Sequence, residues 1–505
     1  MKEKVVKIGK FIFYLSAICL AIFAFIYRTK VWLFEPGFFG DEGALILNIQ
    51  NRTFWQLFLP LDGNQCCPPL VMCVFKLIYF LFGMNETALR FFSYITGFAA
   101  CILAFFVGNK VFKFKSSTLC LMTCMIFSNA MIYYSQEFKQ YSSDVFFSLL
   151  IPFVFLLVKD KITTNKRAVL FGVFLGLSGF ICLPAEFVVV PICFYFLFKY
   201  LKGKNYKHLL CMALPYILLS LSLFFLMILD TLKGEMLGLS MWAEGCDVFN
   251  SVESVKSFAK YVYGYCLVVV MSVMFVFGMV YLLLRERFLI LIFGLPILIN
   301  IIFGYCHLYP FVESRAILWL MPFAMIISLK SFDFLKTKND ISNIIVECLI
   351  FLFFILNLCL LVKVKIVRIS DAVPYYFYRS NAKEYVKKLE KQSVKPDDII
   401  FVDFQGQGIF GIYDIKHKYH GTNVVYQNFE EDFGYYDSRI KDESKREDKT
   451  LDDFPVGTCI WFYNSKIYGN EVSVDNINQW IQKNTKVLLK EDDTFGEFYY
   501  VQKIK

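Results

Sequence analysis

The chain is expected to fold as a polytopic α-helical membrane protein with outer interfacial helices, followed by a small soluble α/β domain. Three observations predict this. Of its 505 residues, 57% are hydrophobic and only 19% charged. Eleven apolar runs are long enough for helical spans. After Val362 these runs stop, and acidic sequence of mixed periodicity begins. A soluble domain holds roughly half apolar residues, and with 58 Phe in addition lipid must be the solvent for much of the chain.

Lys2, Lys4, Lys7 and Lys10 precede the first apolar run, Phe11–Tyr27. The run is long for a signal peptide and no small-x-small site follows it, so it reads as an uncleaved first span. The segment from Arg28 to Ala88 holds two amphipathic stretches, Asp41–Leu59 and Leu70–Phe82, expected to lie in the membrane interface. Further spans are expected at Leu89–Phe112, Ser117–Tyr134, Ser143–Val158, Ala168–Leu183, Phe187–Tyr200, Leu209–Leu229, Val262–Leu284, Phe288–Tyr305, Ala316–Ser328 and Ile344–Val362. With the N-terminus inside, the cytoplasmic stretches carry 20 Lys and Arg against 10 in the opposite loops. Basic residues resist translocation, so this bias sets the orientation, and eleven spans leave the C-terminus outside.

Residues 371–505 form the soluble domain and 1–365 the membrane domain. Within the soluble part, Asn381–Gln392 and Val474–Lys483 read as helices, and Asp398–Phe404, Thr458–Tyr463 and Phe498–Gln502 as strands. The charge run Lys441–Lys449 reads as a solvated loop. The net charge of +9 does not indicate nucleic acid, because the basic residues sit in short clusters between apolar runs. Most of the 16 Cys lie inside apolar segments and act as small hydrophobes. Cys66 and Cys67 are expected as free thiols, a bridge to Cys246 or Cys306 being the alternative.

The residues able to do chemistry gather in the outer loops. Asp41 and Glu42 open a helix soon after the first span. Capping accounts for one acid at a helix start but not for two at the membrane surface. There, partial desolvation suits a carboxylate to act as general base. The next outer loop, Tyr133 to Asp144, holds Glu137 and Lys139, with Asp144 costly unless a partner or polar cavity meets it. For Lys139 alone, interfacial anchoring would suffice. In the last outer loop, Arg315 has the planar fork that binds phosphate, unless it pairs with Glu313 or a lipid headgroup, and His307 reads as structural. A transporter would set its ionisable residues near the midplane, whereas these suit a surface reaction on a lipid-borne substrate.

In order along the chain come Asp41-Glu42, Pro68-Pro69-Leu70, Gly83-x-x-Glu86-x-x-x-Arg90, Ser135-Gln136-Glu137-x-Lys139-x-Tyr141 and Tyr309-Pro310-x-x-x-x-Arg315. This pattern, over roughly residues 1–330, resembles the GT-C glycosyltransferases of the protein O-mannosyltransferase and lipid A aminoarabinose transferase type. The resemblance implies inverting transfer of a sugar from a polyprenyl-phosphate donor to an acceptor outside the cytoplasm. It makes Asp41 the base, with Glu42 and Glu137 supporting it or positioning substrate. Lys139 and Arg315 would bind the leaving lipid phosphate, joined by Arg90, Tyr141 and Tyr309 from the same motifs. Aromatic span faces would hold the polyprenyl tail. Two departures stand out: Cys66-Cys67 where relatives carry His or Lys before Pro-Pro, and Lys139 where Arg is common. No organic cofactor is expected, and a divalent ion at Asp41 and Glu42 stays open. A lipid-linked sugar flippase, a surface polysaccharide polymerase or ligase, and a catalytically degenerate scaffold are the competing readings. The expected setting is a bacterial inner membrane, with the site and the C-terminal domain facing the periplasm.

Overall fold

The computed structural model describes residues 2–33, 37–38, 40–62, 65–229, 252–263, 267–306, 308–310, 315–365, 382–403, 406–414, 418–419, 423–427, 434–437, 449–465, 471–492 and 496–505. The run 441–448, His307, Glu313 and Cys246 therefore lie outside the described residues. The chain divides into two compact units, one of Met1–Phe34 with Arg52–Ala372 and the other of Glu35–Asn51 with Val373–Lys505.

The first unit is helical. It begins with α1 (Lys2–Trp32); α2 (Gly40–Asn51) belongs to the second unit. There follow α3 (Pro69–Phe82), α4 (Glu86–Leu89), α5 (Phe91–Val111), α6 (Lys115–Phe127), α7 (Asn129–Tyr134), α8 (Tyr141–Val158), α9 (Asn165–Ile181), α10 (Ala185–Lys202) and α11 (Tyr206–Leu223). After them come α12 (Val252–Tyr263), α13 (Val268–Arg285), α14 (Leu295–Tyr305), α15 (Met321–Lys330) and α16 (Asp340–Lys365). Among the described residues eight helices are long and apolar enough to cross a membrane, and each overlaps one of the eleven predicted runs.

The other three runs are helical but differ in form. Ser117–Tyr134 is broken into α6 and α7 at Ser128. Ala168–Leu183 is α9, 17 residues long. Phe187–Tyr200 is α10, which carries Glu186, Lys199 and Lys202. Glu186 is tolerated there because Tyr216 Oη donates to its Oε2 at 2.7 Å and Ser220 Oγ to its Oε1 at 3.1 Å. Helix α3 has 14 residues, so at 1.5 Å per residue it is too short for a hydrocarbon core of about 30 Å.

The interior of this unit is packed from every one of these helices but α3 and α4, with Trp319, Phe323, Phe155 and Phe196 buried in it. At the far end of α5, Lys330 is fully buried, and its three donors all find acceptors. They are Asp333 Oδ2 at 2.6 Å, Glu286 Oε2 at 2.7 Å and the Val111 carbonyl at 3.0 Å. Burial pushes the Glu286 carboxyl up, but the hydrogen bonds from Lys330, Tyr281 and Lys113 prevail and hold it below its ordinary value.

The second unit holds a seven-stranded sheet in the order β4-β3-β2-β1-β5-β7-β6. The strands are β1 (Ile399–Val402), β2 (Val424–Gln427), β3 (Gly434–Asp437), β4 (Lys449–Thr450), β5 (Cys459–Ser465), β6 (Thr485–Asp492) and β7 (Gly496–Lys503). β1 is central and pairs in parallel with both neighbours, Ile400 standing opposite Val424 on one side and Trp461 on the other. β5, β7 and β6 are antiparallel, with Trp461 opposite Tyr500. Three more helices complete the unit, α17 (Ala382–Lys391), α18 (Gln407–Tyr413) and α19 (Glu471–Asn484). Strand alternation splits its core in two. Phe401, Ile460, Phe462 and Val501 pack with Ile477, Trp480 and Ile481 of α19. Trp461, Tyr463 and Phe498 face the other way, toward Tyr385 of α17.

Candidate functional site

In the helical unit the site starts from the break between α6 and α7. Ser128 takes an extended conformation (φ −65°, ψ 122°), and its Oγ accepts from the Met131 N–H at 3.3 Å. A break leaves carbonyls that no following turn satisfies. Arg28, at the end of α1 and only 1% exposed, satisfies them. Its Nη2 donates to the Met125 carbonyl at 3.2 Å, and its Nη1 to the Met131 carbonyl at 3.0 Å and to Ser135 Oγ at 3.1 Å. Ser135 in turn donates to the Ile132 carbonyl at 2.7 Å. Sequence reading took Arg28 for one more orientation signal, because a charge just past an apolar run is ordinarily that.

The loop that Arg28 secures, residues 135–144, is buried throughout. The segment before α3 covers it. Lys139 Nζ donates to Gln65 Oε1, and Gln140 Nε2 to the Cys66 carbonyl at 3.0 Å. The Phe138 ring lies 4.1 Å from that of Phe75 in α3. On its other side is the start of α5, where Ser93 Oγ donates to the Lys139 carbonyl at 2.9 Å and Ser142 Oγ to the Ser93 carbonyl at 2.8 Å. Gly97 permits this approach, since a Cβ there would stand 2.6 Å from Ser135 Cβ.

Of the predicted residues, Glu137 and Lys139 are each 3% exposed and Arg90, at the junction of α4 and α5, 2%. Tyr141 opens α8 with the Arg315 guanidinium over its ring at 5.6 Å. Tyr309 uses its hydroxyl to donate to the Ala316 carbonyl at 2.9 Å, and its ring meets Phe187, which stacks on Trp319. Arg315 thus meets Tyr141 directly, Tyr309 bonds to the residue that follows Arg315, and Lys139 lies in the loop that ends at Tyr141 and bonds to the start of α5, three residues after Arg90. Asp144 is 5% exposed. Among the described residues its Oδ1 has no hydrogen-bond partner, while Cys182 Sγ donates to its backbone carbonyl at 3.7 Å.

Charge and burial also set the protonation of the loop groups outside the spans. Burial, reinforced by the nearby Asp144, pushes the Cys66 thiol up to about 11 against the opposing pull of Lys139. Burial holds Cys67 well above its ordinary value. Both cysteines are free and stay thiols at neutral pH. Burial likewise holds the Tyr309 hydroxyl well above its ordinary value, with Asp144, Cys182 and Cys66 adding to it.

Asp41 and Glu42 stand in the second unit, in the first turn of α2, where the helix dipole favours negative charge. Glu42 is fully buried and Asp41 partly so. Helix α2 ends at Asn51, short of the Leu59 that amphipathicity suggested. Arg52 turns the chain by gripping Asp62 with two hydrogen bonds, 2.7 and 3.1 Å, and the Pro60 carbonyl with a third at 2.6 Å. Just ahead of α2, the Phe38 N–H donates to Tyr413 Oη at 2.7 Å. Among the described residues no three His, Cys, Asp or Glu side chains gather as metal ligands. A divalent ion at Asp41 and Glu42 would take its remaining ligands from substrate and water.

The chain matches no family model and no curated protein. Among solved structures it is similar to ArnT from Cupriavidus metallidurans in the apo state, with a TM-score of 0.53 and 11% identity. It is also similar to ArnT from the same organism bound to undecaprenyl phosphate, with a TM-score of 0.51 and 10% identity. Each comparison covers 96% of this chain and 97% of the other. At this identity the likeness is one of fold, and the fold is of the GT-C type found in ArnT.

Proposed function

We propose that the protein is an inverting glycosyltransferase that moves a sugar from a polyprenyl-phosphate donor to an acceptor hydroxyl on the non-cytoplasmic side of a bacterial inner membrane. The observation that supports this best is the burial of Lys139 in the covered loop 135–144, with Arg315 over Tyr141 at the end of that loop. Basic side chains of this kind suit a lipid-borne phosphate, such as the undecaprenyl phosphate bound to one of the similar structures.

In this reading Asp41 takes the proton of the acceptor hydroxyl, whose oxygen attacks the anomeric carbon from the face opposite the phosphate. The bond from that carbon to the phosphate oxygen breaks, and the polyprenyl phosphate leaves with the electron pair. The configuration inverts. Lys139 and Arg315, with Arg90, would neutralise the charge that grows on the leaving phosphate, the effect that contributes most in such reactions. Glu42 and Glu137 would orient the base and substrate, with Tyr141 and Tyr309 lining the donor site.

The test is transfer from a panel of radiolabelled polyprenyl-phosphate sugars by the purified protein in nanodiscs. Asp41→Asn is expected to lower turnover by about 100- to 10,000-fold, the usual worth of a general base, with donor binding retained. Full turnover in that variant would remove Asp41 from the mechanism. The absence of both turnover and binding with every donor would overturn the function itself.

A further inference from the structure

Helix α2, which carries Asp41 and Glu42, is packed as part of the C-terminal unit. Its entry is fixed by a residue far away in sequence. Phe38 is fully buried, and its ring lies nearly parallel to that of Tyr413, 5.9 Å away at 25°. The Phe38 N–H donates to Tyr413 Oη at 2.7 Å. Asp41 follows three residues later, so the point held by Tyr413 lies within about 10 Å of chain from the carboxylate's backbone.

Tyr413 is itself held from several sides. It is the last residue of α18, which comes after β1, and just before that helix the Gly406 N–H donates to Asp403 Oδ1 at 2.6 Å. The next residue, Asp414, is buried and accepts from the N–H groups of Lys418 at 2.9 Å and Tyr419 at 2.8 Å. One turn back, Phe410 packs on Tyr385 at 5.7 Å, and the Tyr385 hydroxyl donates to the Trp461 carbonyl in β5 at 2.7 Å. A continuous path of packed rings and hydrogen bonds therefore runs from the central strands β1 and β5 to the residue that receives the start of α2.

We propose that Tyr413 is the positioning residue for the carboxylates of α2, so that the C-terminal unit sets the aim of the proposed base. This rests on the glycosyltransferase reading above. A general base works only within hydrogen-bond reach of its proton, and a 1 Å misplacement far from the chemistry costs on the order of 100-fold. Tyr413 gives the entry of this helix both a ring contact and a hydrogen bond, and the two can be removed separately.

The experiment uses the full chain in nanodiscs with Tyr413→Phe, which keeps the ring and loses Oη, and Tyr413→Leu, which loses both. Hydrogen–deuterium exchange at the Phe38 amide is expected to rise about tenfold or less in Tyr413→Phe, the net worth of one hydrogen bond. Turnover is expected to fall about tenfold in Tyr413→Phe and about 100-fold in Tyr413→Leu. Donor-lipid binding, made by residues of the other unit, should stay within about twofold, so that kcat falls and the donor KM does not. Exchange unchanged in both variants would overturn the anchor. Exchange raised with kcat unchanged would overturn the positioning role. A parallel fall of turnover and donor binding with a lowered melting temperature would reduce Tyr413 to a structural residue. A wild-type chain with neither turnover nor donor binding would instead sink the glycosyltransferase reading and this role with it, an outcome distinct from a variant that equals an active wild type.

Discussion

Arg28 shows how one side chain can hold a buried loop in a low-dielectric interior. Its guanidinium serves two backbone carbonyls and a hydroxyl around the break at Ser128, three acceptors spread over a plane that the rigid fork fits. Arg28→Met has similar bulk but no donors. It is expected to cost about 1–3 kcal/mol for each carbonyl left bare, read as a lower melting temperature in detergent. Arg28→Lys, with one compact ammonium, should recover less than half of that loss, and full recovery would mean that charge rather than the fork matters. Lys139 and Arg90 contrast with Arg28, since they are as deeply buried yet belong to the region proposed to hold substrate.

Among the elements, α13 and α15 cross closely at Gly278. A Cβ at Gly278 would stand 1.8 Å from the Ile327 carbonyl oxygen, and backbone has no rotamer by which to yield. Two effects oppose each other in Gly278→Ala. Helix propensity favours alanine by about 1 kcal/mol, while forced separation of packed elements costs typically about 1–3 kcal/mol or more. The clash is with main chain, so the second effect is expected to win. The variant should melt lower than wild type, and a higher melting temperature would show that the helices separate freely. Helix α3 illustrates the same dependence on packing: its 14 residues lie over the loop 135–144 through Phe75 and Phe138 instead of crossing the bilayer.

For the molecule as a whole, the charge bias predicts an orientation that puts the loop after α14 on the non-cytoplasmic side. Cys306 is exposed there, whereas Cys66 and Cys67 are covered and held as thiols. In a chain with Cys246 and Cys459 replaced by Ser, a membrane-impermeant maleimide is therefore expected to label right-side-out vesicles at Cys306, the signal disappearing in Cys306→Ser, with Cys66 and Cys67 unlabelled. Labelling of Cys306 only in inverted vesicles would reverse the topology and move the proposed site to the cytoplasmic face.

Hydrophobic runs, basic loops and the change of composition after Val362 determined by themselves that this is a helical membrane protein ending in an α/β segment. Those features reflect solvent preference and local periodicity, which act over a few turns of chain. The helices α17 and α19 and the strands β1, β5 and β7 were legible for the same reason, each showing its own period of 3.6 or 2. Strands β2, β3, β4 and β6 were not. β2 to β4 have two to four residues each, and β6, at the sheet edge, mixes Lys and Glu into an exposed face. The acidic pair and the Glu137-x-Lys139-x-Tyr141 motif were visible because charges are rare in this chain. Only the tertiary structure decided that Arg28 closes a helix break, that Gln65 and Cys66 cover the loop 135–144, and that Tyr413 receives the start of α2. These are contacts between residues up to 375 positions apart, and long-range packing leaves no period in the sequence that creates it.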